Sequence, residues 1–163
     1  MKRLVLMRHA KSSWDQPDLS DYDRPLNKRG KRDAPLMASR LRELGEKPDL
    51  ILSSPAERAI RTATVVAEEF GIAKKKIVEN NDIYLASSDE LLEILRGLDD
   101  SHNRVLLCGH NPGMTKLCNF LADLNIDNIP TCGVACLELA IDFWAELEQA
   151  SGTLVYFNYP KKH

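Results

Sequence analysis

Val105-Leu106-Leu107-Cys108-Gly109-His110-Asn111-Pro112-Gly113 is the stretch that decides how this chain folds. An unbroken apolar run closed by glycine has no polar face to turn to water, so it reads as a strand buried on both sides, the kind found in parallel sheets covered by helices. The polar and helix-starting residues that follow place a turn and then a helix from Met114 to about Leu124. Two earlier stretches share this pattern. Leu4-Val5-Leu6-Met7 runs into Arg8-His9 and a loop rich in Asp, Ser and Pro. Leu50-Ile51-Leu52 runs into Ser53-Ser54-Pro55, and Pro55 suits the first turn of a helix carrying Ala59, Ala63, Val66, Ala67 and Phe70 as far as Gly71.

The remaining segments fill in the same alternation. Asn27 is placed to cap a helix that runs to about Leu44 and stops at Gly45, with Leu26, Met37, Leu41 and Leu44 on its apolar side. Pro35 removes one backbone hydrogen bond from that helix, and a kink is expected there. Ile77-Val78 is a weaker strand and Asp89 to Leu98 a helix. Val134 to Leu139 and Thr153 to Phe157 are two late strands, the second expected to pair antiparallel to the sheet. The fold class that follows is α/β: a three-layer α/β/α sandwich with a mostly parallel central sheet and a late antiparallel strand. No repeat or composition break divides the chain, so residues 1–163 are expected to form a single domain.

Composition narrows the function classes. Hydrophobic residues make up 44% and charged residues 28%, as in an ordinary globular protein, and 163 residues suffice for a core without disulfides or a structural metal. The net charge of -2 carries no domain-wide basic footprint for nucleic acid, and Lys74-Lys75-Lys76 reads as a solvated loop. The apolar run Leu4–Met7 is too short for a signal-peptide core and no stretch approaches a membrane span; no membrane association and a cytoplasmic location are expected. Cys108, Cys118, Cys132 and Cys136 lack paired metal-binding spacing and read as free thiols.

Parallel sheets hold ligands beyond the carboxyl ends of their strands. Those ends carry Arg8-His9, Ser53-Ser54-Pro55-Ala56-Glu57-Arg58 and Gly109-His110-Asn111-Pro112-Gly113. Arginine offers a planar cationic fork for two phosphate oxygens, and a neutral imidazole can attack phosphorus. Two of each make a plausible phosphoryl-transfer pocket. Taken singly, each has a plainer use: Arg8-His9 as a polar strand end, Arg58 as a helix-surface partner in competition with Arg61, and His110 as a helix cap. His102 and His163 have no strand end to fix them and are expected to face solvent.

Leu6-Met7-Arg8-His9-Ala10-Lys11-Ser12-Ser13-Trp14-Asp15 resembles the N-terminal signature of the histidine phosphatase superfamily, which includes phosphoglycerate mutases. Asp23-Arg24-Pro25-Leu26 with Gly30, Ser53-Ser54-Pro55 with Arg58 and Thr62, and Gly109 to Gly113 resemble its later blocks in order. Among its branches, the chain is most similar to the small SixA-type phosphohistidine phosphatases. The resemblance implies a phosphoglycerate mutase-like fold and a metal-independent phosphatase without cofactor. His9 would be the nucleophile, with Arg8, Arg58 and His110 binding the phosphate. The implied partner is a phosphorylated protein carrying phosphohistidine. The alternatives are a small phosphate ester acted on by the same chemistry and, in a different class, a noncatalytic phosphate-binding adaptor.

Two positions depart from the family pattern. Ala10 replaces the usual glycine, a mild change where φ is negative, and Asp15 stands where mutase relatives resemble asparagine, as a possible substrate-binding residue disfavouring phosphoglycerate. Arg24 is expected either to hold substrate or to anchor its loop through Asp21 or Asp23. An alcohol leaving group needs a proton, for which Asp82, ahead of Glu79, is the candidate general acid; a labile phosphorus–nitrogen bond depends less on one.

Overall fold

The computed structural model describes residues 1–162; His163 lies outside the described residues. Six strands form one sheet: β1 (Lys2–Arg8), β2 (Leu50–Ser53), β3 (Val78–Glu79), β4 (Arg104–Gly109), β5 (Val134–Leu139) and β6 (Gly152–Asn158). Their order is β3-β2-β4-β1-β5-β6. The four helices are α1 (Lys28–Glu43), α2 (Glu57–Glu69), α3 (Ser88–Arg96) and α4 (Gly113–Ala122). No helix among the described residues is long and apolar enough to cross a membrane.

Strand side chains alternate between the two faces, and each face has its own core. Leu4 and Leu6 of β1, with Leu50, Leu52, Val105 and Leu107, pack beneath Leu91 and Leu95 of α3 and Leu117 and Leu121 of α4. Val5 and Met7, with Ile51, Leu106 and Cys108, pack on the other face against Met37 and Leu41 of α1 and Ala59, Ala63 and Val66 of α2. Apolar residues in an unbroken run thus serve both layers, which is why β1, β2 and β4 carry no polar alternation.

β1, β2, β3 and β4 are parallel, as the alternation of elements predicts. Reversal of direction occurs at β5, which pairs antiparallel with β1. β6 does pair antiparallel, but with β5, and therefore runs in the direction of β1. The sequence-based expectation had attached the antiparallel character to β6 alone.

Helix ends follow local chemistry. Asn27 caps α1 by accepting from Gly30 N at 2.9 Å, and α1 continues through Pro35, which is solvent-exposed. Gly45 and Gly71 take positive φ just beyond α1 and α2, where a left-handed residue ends a helix at least cost. Ser87 and Glu90 form a reciprocal capping box at the start of α3.

Candidate active site

Register brings the three strand ends together. Arg8 of β1 lies beside Gly109 of β4, and Ser53 of β2 beside Cys108. His9 and His110 follow directly, with ring centroids 5.2 Å apart. The β1–β5 pairing sets Met7 against Val134, so the segment before β5 wraps the same end of the sheet. There Arg8 N donates to Gly133 O at 3.0 Å and Cys132 N to Arg8 O at 3.1 Å.

His9 is only 7% exposed. Its Nδ1 lies 2.8 Å from Ala10 O. A carbonyl can only accept, so Nδ1 carries the proton and the lone pair of the neutral ring resides on Nε2. Burial, followed by the nearby Arg58, Arg8 and Arg24 guanidiniums, pushes the pKa down to about 4, outweighing the upward pull of the Ala10 carbonyl. His9 is therefore neutral near pH 7. Burial is the largest of these causes, ahead of the arginines.

His110 places Nε2 2.8 Å from Ser54 Oγ and Nδ1 3.4 Å from Arg58 Nη2. A guanidinium has only protons to offer, so Nδ1 faces it as the acceptor and Nε2 donates to Ser54. Burial, then His9 and Arg58, lower the His110 pKa to about 3.

Arg58, on the first turn of α2, is buried and donates through Nη1 to Asp21 O at 2.6 Å and through Nη2 to Asp21 Oδ2 at 2.9 Å. Arg61 is exposed on the same helix. Arg8 donates from Nη1 to Ile129 O at 3.0 Å, while its Nε is buried with no hydrogen-bond partner among the described residues. An unmatched buried donor costs roughly 1–3 kcal/mol, more on a charged group, which marks a place suited to an anionic acceptor.

The backbone around His9 is fixed from α2. Ala10 N donates to Thr62 Oγ1 at 3.0 Å, and that hydroxyl donates to Arg58 O at 2.7 Å, joining the His9 loop and the helix that carries Arg58 through one side chain. Ala10 is buried and has no positive φ, so alanine fits where relatives have glycine. Close approach elsewhere does demand glycine: a Cβ on Gly30 would meet Lys11 O at 2.1 Å.

Arg24 is buried and anchors its loop, donating to Ser13 O, Ser12 Oγ and Asp21 Oδ1 while the Trp14 ring covers its guanidinium, 3.2 Å from Cζ to centroid. Of the two anchoring partners expected, Asp21 is the one it meets. Asp15 is exposed in the loop beyond Trp14, with its backbone N on Ser13 Oγ. Asp82 is exposed and lines a groove of about 450 Å³ with Asp89, Glu90, Glu93 and Ile94, a set that shares no residue with the histidine–arginine cluster.

Asp21 was expected only as an anchor for Arg24, and Tyr84 was not singled out from the sequence. Tyr84 donates to Asp21 Oδ2 and stands edge-on to His110 at 5.5 Å. Burial would raise the Asp21 pKa, but hydrogen bonds from Tyr84, Arg58 and Arg24 win and bring it to about 2. Tyr84 and Arg58 lie in separate segments, and no local pattern announces their contacts with Asp21; the one signal was its place three residues before Arg24.

Three guanidiniums and two imidazoles held neutral converge at the carboxyl ends of the parallel strands, a set of groups chemically suited to a tetrahedral oxyanion. The model of the histidine phosphatase superfamily (branch 1) matches residues 4–83. A solved SixA from Agrobacterium tumefaciens, provisionally described as a phosphohistidine phosphatase, is 32% identical, covers 98% of both chains and superposes with a TM-score of 0.81. An uncharacterised chloroplastic protein of Arabidopsis thaliana is 32% identical over 159 residues, 93% of this chain and 72% of that protein. An uncharacterised protein of Mycobacterium tuberculosis is 32% identical over 166 residues, 95% of this chain and 100% of that protein. The chain belongs to the histidine phosphatase superfamily.

Proposed function

We propose that the chain is a metal-independent phosphatase that acts in the cytoplasm on phosphohistidine in a protein, through a covalent phosphohistidine on His9. Nε2 of the neutral His9 attacks phosphorus in line as the bond to the leaving group breaks; water then displaces His9 and releases inorganic phosphate. Arg8 and Arg58 stabilise the charge on the equatorial oxygens, where preorganised donors in a dry site act most strongly, and His110 joins them by turning its Nε2–H from Ser54 Oγ to a phosphoryl oxygen. Arg24, tied into its loop by Ser12, Ser13 and Asp21, holds the mouth in place.

The observation that carries this reading is the His9 ring itself: buried, neutral near pH 7, and held by Ala10 O so that Nε2 is the free lone pair, beside guanidiniums suited to phosphate. The SixA likeness supports a phosphorylated protein as substrate. Hydrolysis of a small phosphate ester is the second reading; it requires a proton donor, and Asp82, in its separate acidic groove, is the side chain to test.

Turnover of a phosphohistidine-bearing protein and of an alkyl phosphate such as phosphoserine, with chelator present, separates the two. The phosphohistidine protein is expected to be hydrolysed faster and independently of chelator, with Asp82→Asn unchanged on it. Faster hydrolysis of phosphoserine, lost in Asp82→Asn, would favour the ester reading. Loss of all turnover with chelator would contradict the metal-free mechanism.

A further inference from the structure

We propose that Asp21 determines which leaving groups the site accepts: its carboxylate, at the rim of the phosphoryl cluster, admits a phosphoryl group carried on a neutral or cationic ring and rejects one carried on an anion. This rests on the in-line reading above and deepens it.

In-line displacement expels the leaving group on the side away from His9. His9 is almost wholly buried, whereas the Asp21 side chain is 42% exposed and lies over Arg58 and Tyr84, toward solvent. The rings around it are exposed too. Tyr22 stands edge-on to Tyr84 at 5.2 Å, and Trp14, 72% exposed, covers Arg24, which is itself bound to Asp21. The departing group therefore passes a carboxylate framed by aromatic rings, a setting that favours a flat neutral or cationic ring over an anion.

The charges also balance for such a substrate. Arg8, Arg24 and Arg58 contribute three positive charges, Asp21 one negative charge, and the two histidines are neutral near pH 7, leaving a net charge of +2. That matches one dianionic phosphoryl group and leaves nothing for a second anionic group. Asp21 Oδ2 accepts from Tyr84 and Arg58, and Oδ1 from Arg24. A carboxylate has about four acceptor sites, so one is left for an N–H such as that of an imidazole leaving group.

A matched pair of non-hydrolysable ligands tests this: phenylphosphonate and 4-carboxyphenylphosphonate, titrated calorimetrically into wild type, Asp21→Asn and Asp23→Asn. Asp23 is an exposed carboxylate on the same turn whose side chain bonds Ser20, and its removal changes the loop charge equally. Wild type is expected to bind the carboxylated ligand roughly tenfold more weakly, the size of one partly screened charge repulsion at a half-exposed site. Asp21→Asn should bring the two affinities within about threefold of each other, while Asp23→Asn retains the wild-type ratio. Asp21→Ser serves as a second variant if Asp21→Asn does not fold. Equal binding of both ligands by wild type would overturn this inference and leave the phosphatase reading intact. So would an equal narrowing in Asp23→Asn, or an unchanged ratio in the Asp21 variants. Failure of wild type to bind either ligand would sink the phosphoryl-site reading and the inference with it.

Discussion

Nδ1 of His9 faces the Ala10 carbonyl, which fixes the tautomer, and burial holds the ring in its neutral form, so one side chain has both the geometry and the charge state of a nucleophile. His110 is lowered still further, to about 3. Proton NMR of the histidine ring signals should show the His9 and His110 resonances without a titration step around pH 6.5, His9 beginning to titrate only as pH approaches 4. A His9 midpoint near 6.5 would contradict the burial argument. At this scale the sequence was informative where chemistry is local: Arg8, His9, Arg58 and His110 stand at strand ends or one turn beyond, and the structure brings them together. It pointed to Asp21 only as an anchor for Arg24, three residues along, because Arg58 and Tyr84 reach the same carboxylate from separate segments. Spacing along the chain carries no trace of such a contact.

Elements were legible wherever a run or a cap was. The strands at Leu4–Met7, Leu50–Leu52 and Val105–Cys108 and the Asn27 cap follow from residues within a few positions of one another. Strand direction at the late end was not, because no local residue in β5 or β6 specifies it and only their long-range pairing assigns the reversal to β5. Gly30 separates local preference from tertiary demand. As a residue inside α1 it should be improved by alanine, by about 1 kcal/mol on helix propensity. A Cβ there would sit 2.1 Å from Lys11 O, a backbone atom of the loop that follows His9. Overpacking of this kind costs roughly 1–3 kcal/mol or more, so the clash wins. Gly30→Ala is expected to lower the urea midpoint and to reduce turnover through displacement of the His9 loop; a stabilised variant would show that the loop yields freely.

Across the whole molecule, the cost of holding His9 and His110 neutral in a buried cluster appears as a dependence of stability on pH. Both folded pKa values lie below the ordinary 6.5, so between the two values the unfolded chain binds protons that the folded chain does not. Their contribution is fully present above about 6.5 and is lost as pH falls toward about 4 for His9 and about 3 for His110. At about 1.4 kcal/mol per pKa unit, the loss for the pair should approach roughly 8 kcal/mol at the acid end of that window. Urea unfolding across that window should show the decline, and His9→Asn, which has no proton to gain, should show a smaller one. An equal decline in the variant would place the acid sensitivity elsewhere, for instance in Asp21, whose low pKa contributes stability that is lost only as pH falls from 3.8 to about 2.

Rapid quenching of wild type and His9→Ala after brief mixing with a radiolabelled phosphohistidine protein tests the covalent mechanism most directly. An acid-labile, base-stable label on the wild-type peptide containing His9, absent from His9→Ala together with turnover, is the expected result. Turnover retained by His9→Ala, with no label on wild type at any quench time, would contradict it.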